Sequence, residues 1–147
     1  MIETSDEDFF KSTLKIGSIY YFKYEKLKDT KDSHPFIVIH KKNSDYIILG
    51  NTTTQIEKRI KALEINKFPE STLVFIKPDE KNKLKKESVV DCNTNIWVED
   101  ESNLKSIRQK KGMRIYGTVS KNIIEQLRQG IKDSPMITQE IKDIVNS

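Results

Sequence analysis

The feature that most constrains this chain is a succession of short β-branched and aromatic runs separated by polar turns. The clearest run is Phe36–Ile39, which directly follows Pro35. Runs of four to eight such residues bounded by turn residues are typical of strands, and proline is tolerated at the first position of a strand. The pattern excludes a fully disordered chain. It predicts strands at residues 18–24, 36–40, 46–49, 73–77, 88–92 and 113–119.

Helices are predicted at both ends of the chain. Ser5 stands before an acidic turn, where its hydroxyl can accept hydrogen bonds from the first backbone N–H groups. Ser120 caps a second helix with an apolar face, and Gly130 is expected to end it. A last helix is expected to open at Ser134-Pro135, because proline suits the first helical turn.

The order of elements predicts the fold class. Strands come first and helices last, without βαβ alternation, which favours a mainly β protein with appended helices (α+β): a small antiparallel barrel or curled sheet. At 147 residues we expect one domain over residues 1–147, with a barrel core at about 16–119 and C-terminal helices at about 120–146. Residues 56–67 fit a strand or a helix, and residues 93–111 are mostly polar.

Composition excludes several classes of protein. No run of about 18 apolar residues is present, and the acidic start lacks the features of a secretory signal, so a cytoplasmic protein is expected. A single cysteine, Cys92, excludes an internal disulfide and a Cys-rich metal site. Two histidines are too few for a His-dominated zinc site, so no metal or other cofactor is expected. The net charge of +4 is compatible with a polyanionic partner without indicating one.

Four local patterns occur in a distinctive order. They are a Gly17-led strand and loop ending in His34-Pro35, then Thr53-Thr54-Gln55, then Leu84–Asn93, and last Gly117–Ser120 before a helix. Over roughly residues 16–127 this order resembles the MazF/PemK (Kid) family of toxin endoribonucleases from bacterial toxin–antitoxin systems.

The resemblance implies a fold, partners and a reaction. The fold would be an SH3-like, PemK/CcdB-like barrel, and the partners would be single-stranded RNA, a cognate antitoxin and a second copy of the chain. The reaction would be metal-independent cleavage in which the RNA 2′-hydroxyl attacks phosphorus and leaves a 2′,3′-cyclic phosphate. It needs a base for the 2′-hydroxyl, an acid for the 5′-oxygen and donors for the charged phosphorane.

The same resemblance gives the catalytic candidates. His34 stands where many members carry an arginine before proline, and an imidazole titrates near neutrality. Thr53 keeps the family threonine, whose hydroxyl can donate to a phosphate oxygen. Asp91 and Asn93 flank Cys92, where the Kid branch has Arg and Asp. We predict catalytic roles for His34, Thr53 and Asp91. The alternative is that these residues pack, end strands or bond locally.

RNA binding is predicted for the densest basic cluster that lacks acidic residues. Tyr20, Tyr116 or Trp97 would offer a stacking face. A solvated loop accounts for the charges equally well, and a core role accounts for the aromatic residues. The predicted RNA-binding residues are Asn93, Arg108, Lys110, Lys111 and Arg114.

Three functional hypotheses therefore stand. The first is a MazF/PemK-like toxin that cleaves RNA. The second, motivated by the loss of both family arginines, is a non-catalytic module on the same barrel that binds nucleic acid or a protein target, as CcdB-like poisons do. The third is an unrelated β-barrel protein.

Overall fold

A computed structural model of the chain describes residues 5–27 and 32–147. Within these ranges there are seven strands, five α-helices and one short 3₁₀ turn (Glu70–Thr72). The strands are β1 (Ser18–Phe22), β2 (His34–Lys42), β3 (Tyr46–Asn51), β4 (Leu73–Ile76), β5 (Ser88–Asp91), β6 (Ile96–Glu99) and β7 (Arg114–Thr118). The helices are α1 (Asp6–Thr13), α2 (Ile56–Asn66), α3 (Glu101–Lys111), α4 (Lys121–Asp133) and α5 (Gln139–Val145).

The strands form two antiparallel sheets. Five strands pair in the order β6-β3-β2-β1-β7, and β4 pairs with β5. A bridge between Thr53 and Val89 joins the two sheets. The predicted class, a mainly antiparallel sheet with appended helices, is confirmed, and the strands predicted at 36–40 and 46–49 pair as a β2–β3 hairpin.

Two apolar clusters lie on opposite faces of the larger sheet. Alternation along β2 sends Ile37 and Ile39 to one cluster and Phe36 and Val38 to the other. The first cluster is completed by β4, β5, α4 and α5, and the second by residues of α1 and α3. The sheet is therefore covered on both faces, and the first cluster lies between the two sheets.

Two predicted caps are present. The Ser5 hydroxyl accepts the Asp8 N–H, and the Ser120 hydroxyl accepts the Ile123 N–H, each at 3.2 Å. These bonds satisfy backbone donors that have no partner within the first turn of a helix. The local capping signals therefore located the starts of α1 and α4 correctly.

The predicted end of α4 and the predicted start of the last helix were wrong. Helix α4 continues through Gly130 to Asp133. Gly130 is needed there for space, because a Cβ would lie 2.7 Å from Cys92 Sγ and 2.8 Å from the Ser71 carbonyl oxygen. The last helix begins after Thr138, whose hydroxyl accepts the Ile141 N–H at 3.4 Å, rather than at Ser134-Pro135.

The segments left open by the sequence form regular structure. Residues 56–67 are mainly helix α2, and the polar stretch 93–111 contains β6 and α3. Asp100 caps α3 by accepting the Asn103 N–H at 2.7 Å. The predicted loop that ends in His34-Pro35 includes residues 28–31, which lie outside the described residues. No described helix has the length and apolar character needed to cross a membrane.

Candidate functional site

An open groove lies beside the end of β1, the start of β2 and the middle of β7. The start of β5, in the smaller sheet, completes it. Its volume is about 400 Å³. The groove is defined by residues 33–35, 52–55 and 84–86, together with Ser88, Tyr21 and Tyr116. Three of the four sequence patterns thus contribute residues to one surface.

His34 and Thr53 both line this groove. The β2–β3 ladder includes the pair Phe36 and Asn51, and the Thr52 N–H continues it by donating to the Pro35 carbonyl at 3.1 Å. Beyond this bond the two chains take different partners, because His34 pairs with Phe22 and Thr53 pairs with Val89. Main-chain pairing thus brings the two predicted catalytic residues to one surface.

Hydrogen bonds hold both the main chain and the side chain of Thr53. Its main-chain N–H and carbonyl both pair with Val89 at 2.9 Å, at the bridge between the sheets. Its Oγ1 accepts the Gln55 N–H at 3.2 Å. A hydroxyl that accepts this bond keeps its hydrogen for another acceptor, such as a phosphate oxygen.

His34 stands at the open end of its strand. It is half-buried and pairs with Phe22, whereas Pro35 pairs with Tyr21. Pro35 therefore shares the sheet face of Tyr21, and His34 shares that of Phe22, and both residues line the groove at the start of β2.

The groove carries positive charge. Lys85 and Lys86 are exposed at its edge, and no carboxylate is among the described residues that line it. Arg114 borders it, because its guanidinium lies 4.7 Å from the ring centre of Tyr21. A surface of this kind attracts a polyanion.

Asp91 and Asn93 lie elsewhere, in a buried network. Asp91 Oδ1 accepts the Asn93 N–H at 2.9 Å and its side-chain amide at 3.0 Å. That amide also donates to Thr72 Oγ1 at 2.9 Å, and Asn93 Oδ1 accepts the Ser134 hydroxyl at 2.6 Å. The structure does not bring Asp91 or Asn93 to the groove, and their predicted functional roles remain predictions.

The basic cluster is also divided. Arg108 donates to Asp6 at 2.7 Å and holds the pKa of that carboxyl below its usual range. Lys111 pairs with Glu25 at 2.7 Å, and Lys110 and Lys111 line a smaller pocket beside Tyr24. Tyr24 belongs to the second apolar cluster, and none of the described residues that line this pocket lines the groove. Of the four cations, only Arg114 borders the groove.

Sequence reasoning missed several lining residues. Lys85, Lys86 and Gln55 were part of the quoted motifs, but only the fold shows that they share a surface with His34. Tyr20 was named as a stacking face, yet it is fully buried and its hydroxyl pairs with Thr13 at 2.8 Å. Burial raises the pKa of Tyr20. Strand alternation makes its neighbour Tyr21 the groove residue.

Metal ligation and thiol chemistry find no support among the described residues. No group of three or more His, Cys, Asp or Glu side chains there is arranged to hold a metal ion. Burial raises the pKa of the Cys92 thiol to about 12. A thiol that stays protonated near neutrality is a poor nucleophile, so Cys92 serves as a small apolar residue.

Comparisons with known proteins bear on the fold. No family model matches the chain, and no curated protein matches it. Fifteen solved chains match its structure. One is the Mycobacterium tuberculosis toxin MazF-mt6, with a TM-score of 0.51 and 14% identity over 82% of this chain and 98% of that one. The chain has a MazF-like fold. At this identity the similarity is evidence for the fold alone.

Proposed function

We propose that this protein is a toxin endoribonuclease of a toxin–antitoxin system that cleaves single-stranded RNA without a metal. One observation carries the proposal. His34 and Thr53, selected by resemblance from two separate motifs, both line an open groove that is edged by lysines. The MazF-like fold is consistent with this assignment.

The groove residues supply parts of the reaction. His34 takes one of the two proton transfers, removing the proton of the 2′-hydroxyl or giving one to the departing 5′-oxygen. The 2′-oxygen forms a bond to phosphorus, the bond from phosphorus to the 5′-oxygen breaks, and a 2′,3′-cyclic phosphate remains. The Thr53 hydroxyl donates to a non-bridging oxygen, while Lys85 and Lys86 offset the negative charge that develops there.

Partners follow from the same proposal. An acidic antitoxin segment suits a groove whose described lining holds two lysines and no carboxylate. Occupation of the groove by such a segment would block RNA. The resemblance further supports a homodimer that acts in the cytoplasm.

The test is cleavage of a long single-stranded RNA by the purified protein in EDTA, with mapping of fragment ends. Discrete cuts that carry 2′,3′-cyclic phosphate ends are expected from the wild-type protein. His34→Ala and Thr53→Ala should abolish them, whereas Thr94→Ala, at an exposed threonine outside the groove, should not. Cleavage that persists in both groove variants, or that requires an added metal, would contradict the proposal.

A second candidate function is binding without cleavage. It is favoured by one observation, that the described residues lining the groove include no arginine. A folded protein that binds RNA but leaves it intact at every pH tested would support this alternative over the nuclease.

A further inference from the structure

Two tyrosines at one wall of the groove contact each other, and an arginine lies over one of them. The rings of Tyr21 and Tyr116 are 5.4 Å apart between centres, with a tilt of 57° between their planes. The Arg114 guanidinium lies 4.7 Å from the ring centre of Tyr21. We call Arg114, Tyr21 and Tyr116 the tyrosine stack.

Strand pairing fixes two of the three side chains. Tyr21 of β1 pairs directly with Arg114 of β7. The register shifts between Ile19 and Tyr20, and Tyr116 is the residue of β7 that this shift leaves without a partner in β1. Tyr116 therefore stands at a β-bulge, a feature that re-aims a side chain and often lies beside a functional site.

The two rings are accessible from the groove. Tyr21 and Tyr116 are half-buried and both line it, in contrast to the fully buried Tyr20. Arg114 is exposed, and no carboxylate lies within ion-pair distance of it among residues 5–27 and 32–147. Its charge is thus available to a ligand.

We propose that the tyrosine stack receives a nucleobase of an unpaired RNA nucleotide beside the phosphate held at His34 and Thr53. The inference rests on the proposed function and adds the residues that hold a base of the single-stranded RNA. Every base has a flat face that stacks on an aromatic ring, and Arg114 can contact an adjacent phosphate. Bases in a duplex are stacked on one another, so the stack discriminates against paired RNA.

RNA fits the wall better than an acidic protein segment does. Lys85, Lys86 and Arg114 suit either polyanion, whereas a paired aromatic surface adds affinity for bases. An acidic peptide that competes for the groove but loses no affinity in the tyrosine variants fits this assignment. A peptide that loses as much affinity as RNA assigns the stack to the protein partner instead.

Binding of a fluorescent 2′-O-methyl RNA oligonucleotide tests the proposal without depending on cleavage, because this RNA has no 2′-hydroxyl nucleophile. Tyr21→Leu and Tyr116→Leu should each weaken binding by about 5- to 150-fold, the range of one base–aromatic stack. Tyr21→Phe and Tyr116→Phe keep a ring and should bind within about twofold of wild type. The matched control is Tyr46→Leu, at an exposed tyrosine on the end of the β2–β3 hairpin opposite His34.

Further measurements separate stacking from charge and from misfolding. The slope of log affinity against log salt is negative, and Arg114→Ala should make it less steep by about 0.7, the value for one phosphate contact on a single strand. The leucine variants should leave that slope unchanged. Circular dichroism and thermal unfolding establish that each variant is folded.

Three results would overturn the assignment. The first is wild-type affinity in both folded leucine variants. The second is that the phenylalanine variants weaken binding as much as the leucine variants do. The third is that the leucine variants weaken the binding of single-stranded and duplex RNA equally. A wild-type protein that cleaves RNA while the leucine variants bind normally refutes the stack alone. A wild-type protein that neither binds nor cleaves RNA refutes the proposed function as well.

Discussion

The two ends of strand β5 lie in very different surroundings. Both end residues are buried, but Ser88 at the start lines the groove beside Lys86, whereas Asp91 at the end is bonded to Asn93. The two residues are three positions apart, or about 10 Å along an extended strand. One end faces the groove, and the other holds β5 to the 3₁₀ turn and to the end of α4 through Thr72 and Ser134.

This difference shows why a continuous motif need not be a continuous site. The Leu84–Asn93 segment resembles its family pattern throughout, but the strand carries its two halves to different places. The lysines before the strand meet His34 in the groove. The residues around Cys92 meet helix α4 in the interior. The groove end therefore concerns activity, and the interior end concerns stability.

The largest expected effect is on the cleavage rate. A variant in the groove should lower this rate strongly, whereas a variant at the interior end of β5 should not. His34→Ala should lower the cleavage rate by about 10²- to 10⁴-fold, the usual contribution of a general acid or base. Asp91→Asn should keep the rate within a few-fold of wild type, because its Oδ1 can still accept both bonds from Asn93. Single-turnover cleavage under matched conditions measures both.

The paired result also tests the predicted catalytic role of Asp91. A fall of 100-fold or more for a folded Asp91→Asn protein would place the carboxylate in the reaction and remove the distinction between the two ends. Unfolding curves for both variants are the control, since a rate counts only for folded protein.

The next effect is on stability at the interior end. Asn93→Ala removes the acceptor of the Ser134 hydroxyl and a donor to Thr72, which is fully buried. We expect the free energy of unfolding to fall by about 3 kcal/mol, since buried polar groups lose their partners. Urea unfolding measures it, and the exposed Asn66→Ala is the matched control. A loss of RNA binding with no loss of stability would instead support the predicted RNA contact of Asn93.

A somewhat smaller effect is expected where α4 packs against Cys92. In Gly130→Ala the new Cβ would lie 2.7 Å from Cys92 Sγ, so the helix must shift. The crowding should outweigh the better helix propensity of alanine and cost about 2 kcal/mol. The same change should cost less in a Cys92→Ala background, and a double-mutant cycle measures this coupling. Equal costs in both backgrounds would place the strain at the Ser71 carbonyl alone.

Local signals in the sequence predicted much of the fold. Alternating or continuous apolar runs located six of the seven strands, and Ser5 and Ser120 located two helix starts, because these signals depend on neighbouring residues only. The end of α4 was not predictable in this way. Glycine is common just after the end of a helix, but Gly130 is required by close packing against Cys92, 38 positions earlier in the chain.

The site was predicted only in part, for a similar reason. His34 and Thr53 could be chosen by motif and do come together. Of the aromatic residues named for stacking, Tyr116 lines the groove, whereas Tyr20 has the alternative core role, because the exposed face of a strand decides which ring is accessible. The basic cluster looked continuous because residues 108–114 are close in sequence, but the turn after α3 separates Arg114 from Arg108 and Lys111.

The smallest effect is a pH dependence of stability that contrasts the two histidines of β2. His34 lies at the groove end, whereas His40 is 7% exposed, and its Nδ1 is 3.5 Å from Arg128 Nη2. Burial, together with the charges of Arg128 and Lys42, lowers the pKa of His40. The unfolded chain then binds more protons than the folded one, so stability should rise with pH and fall below about pH 6.5, where the unfolded imidazole begins to protonate. Urea midpoints measured on either side of that pH should differ in the wild-type protein and converge in His40→Gln. An unchanged slope in this variant would assign the acid sensitivity to other groups.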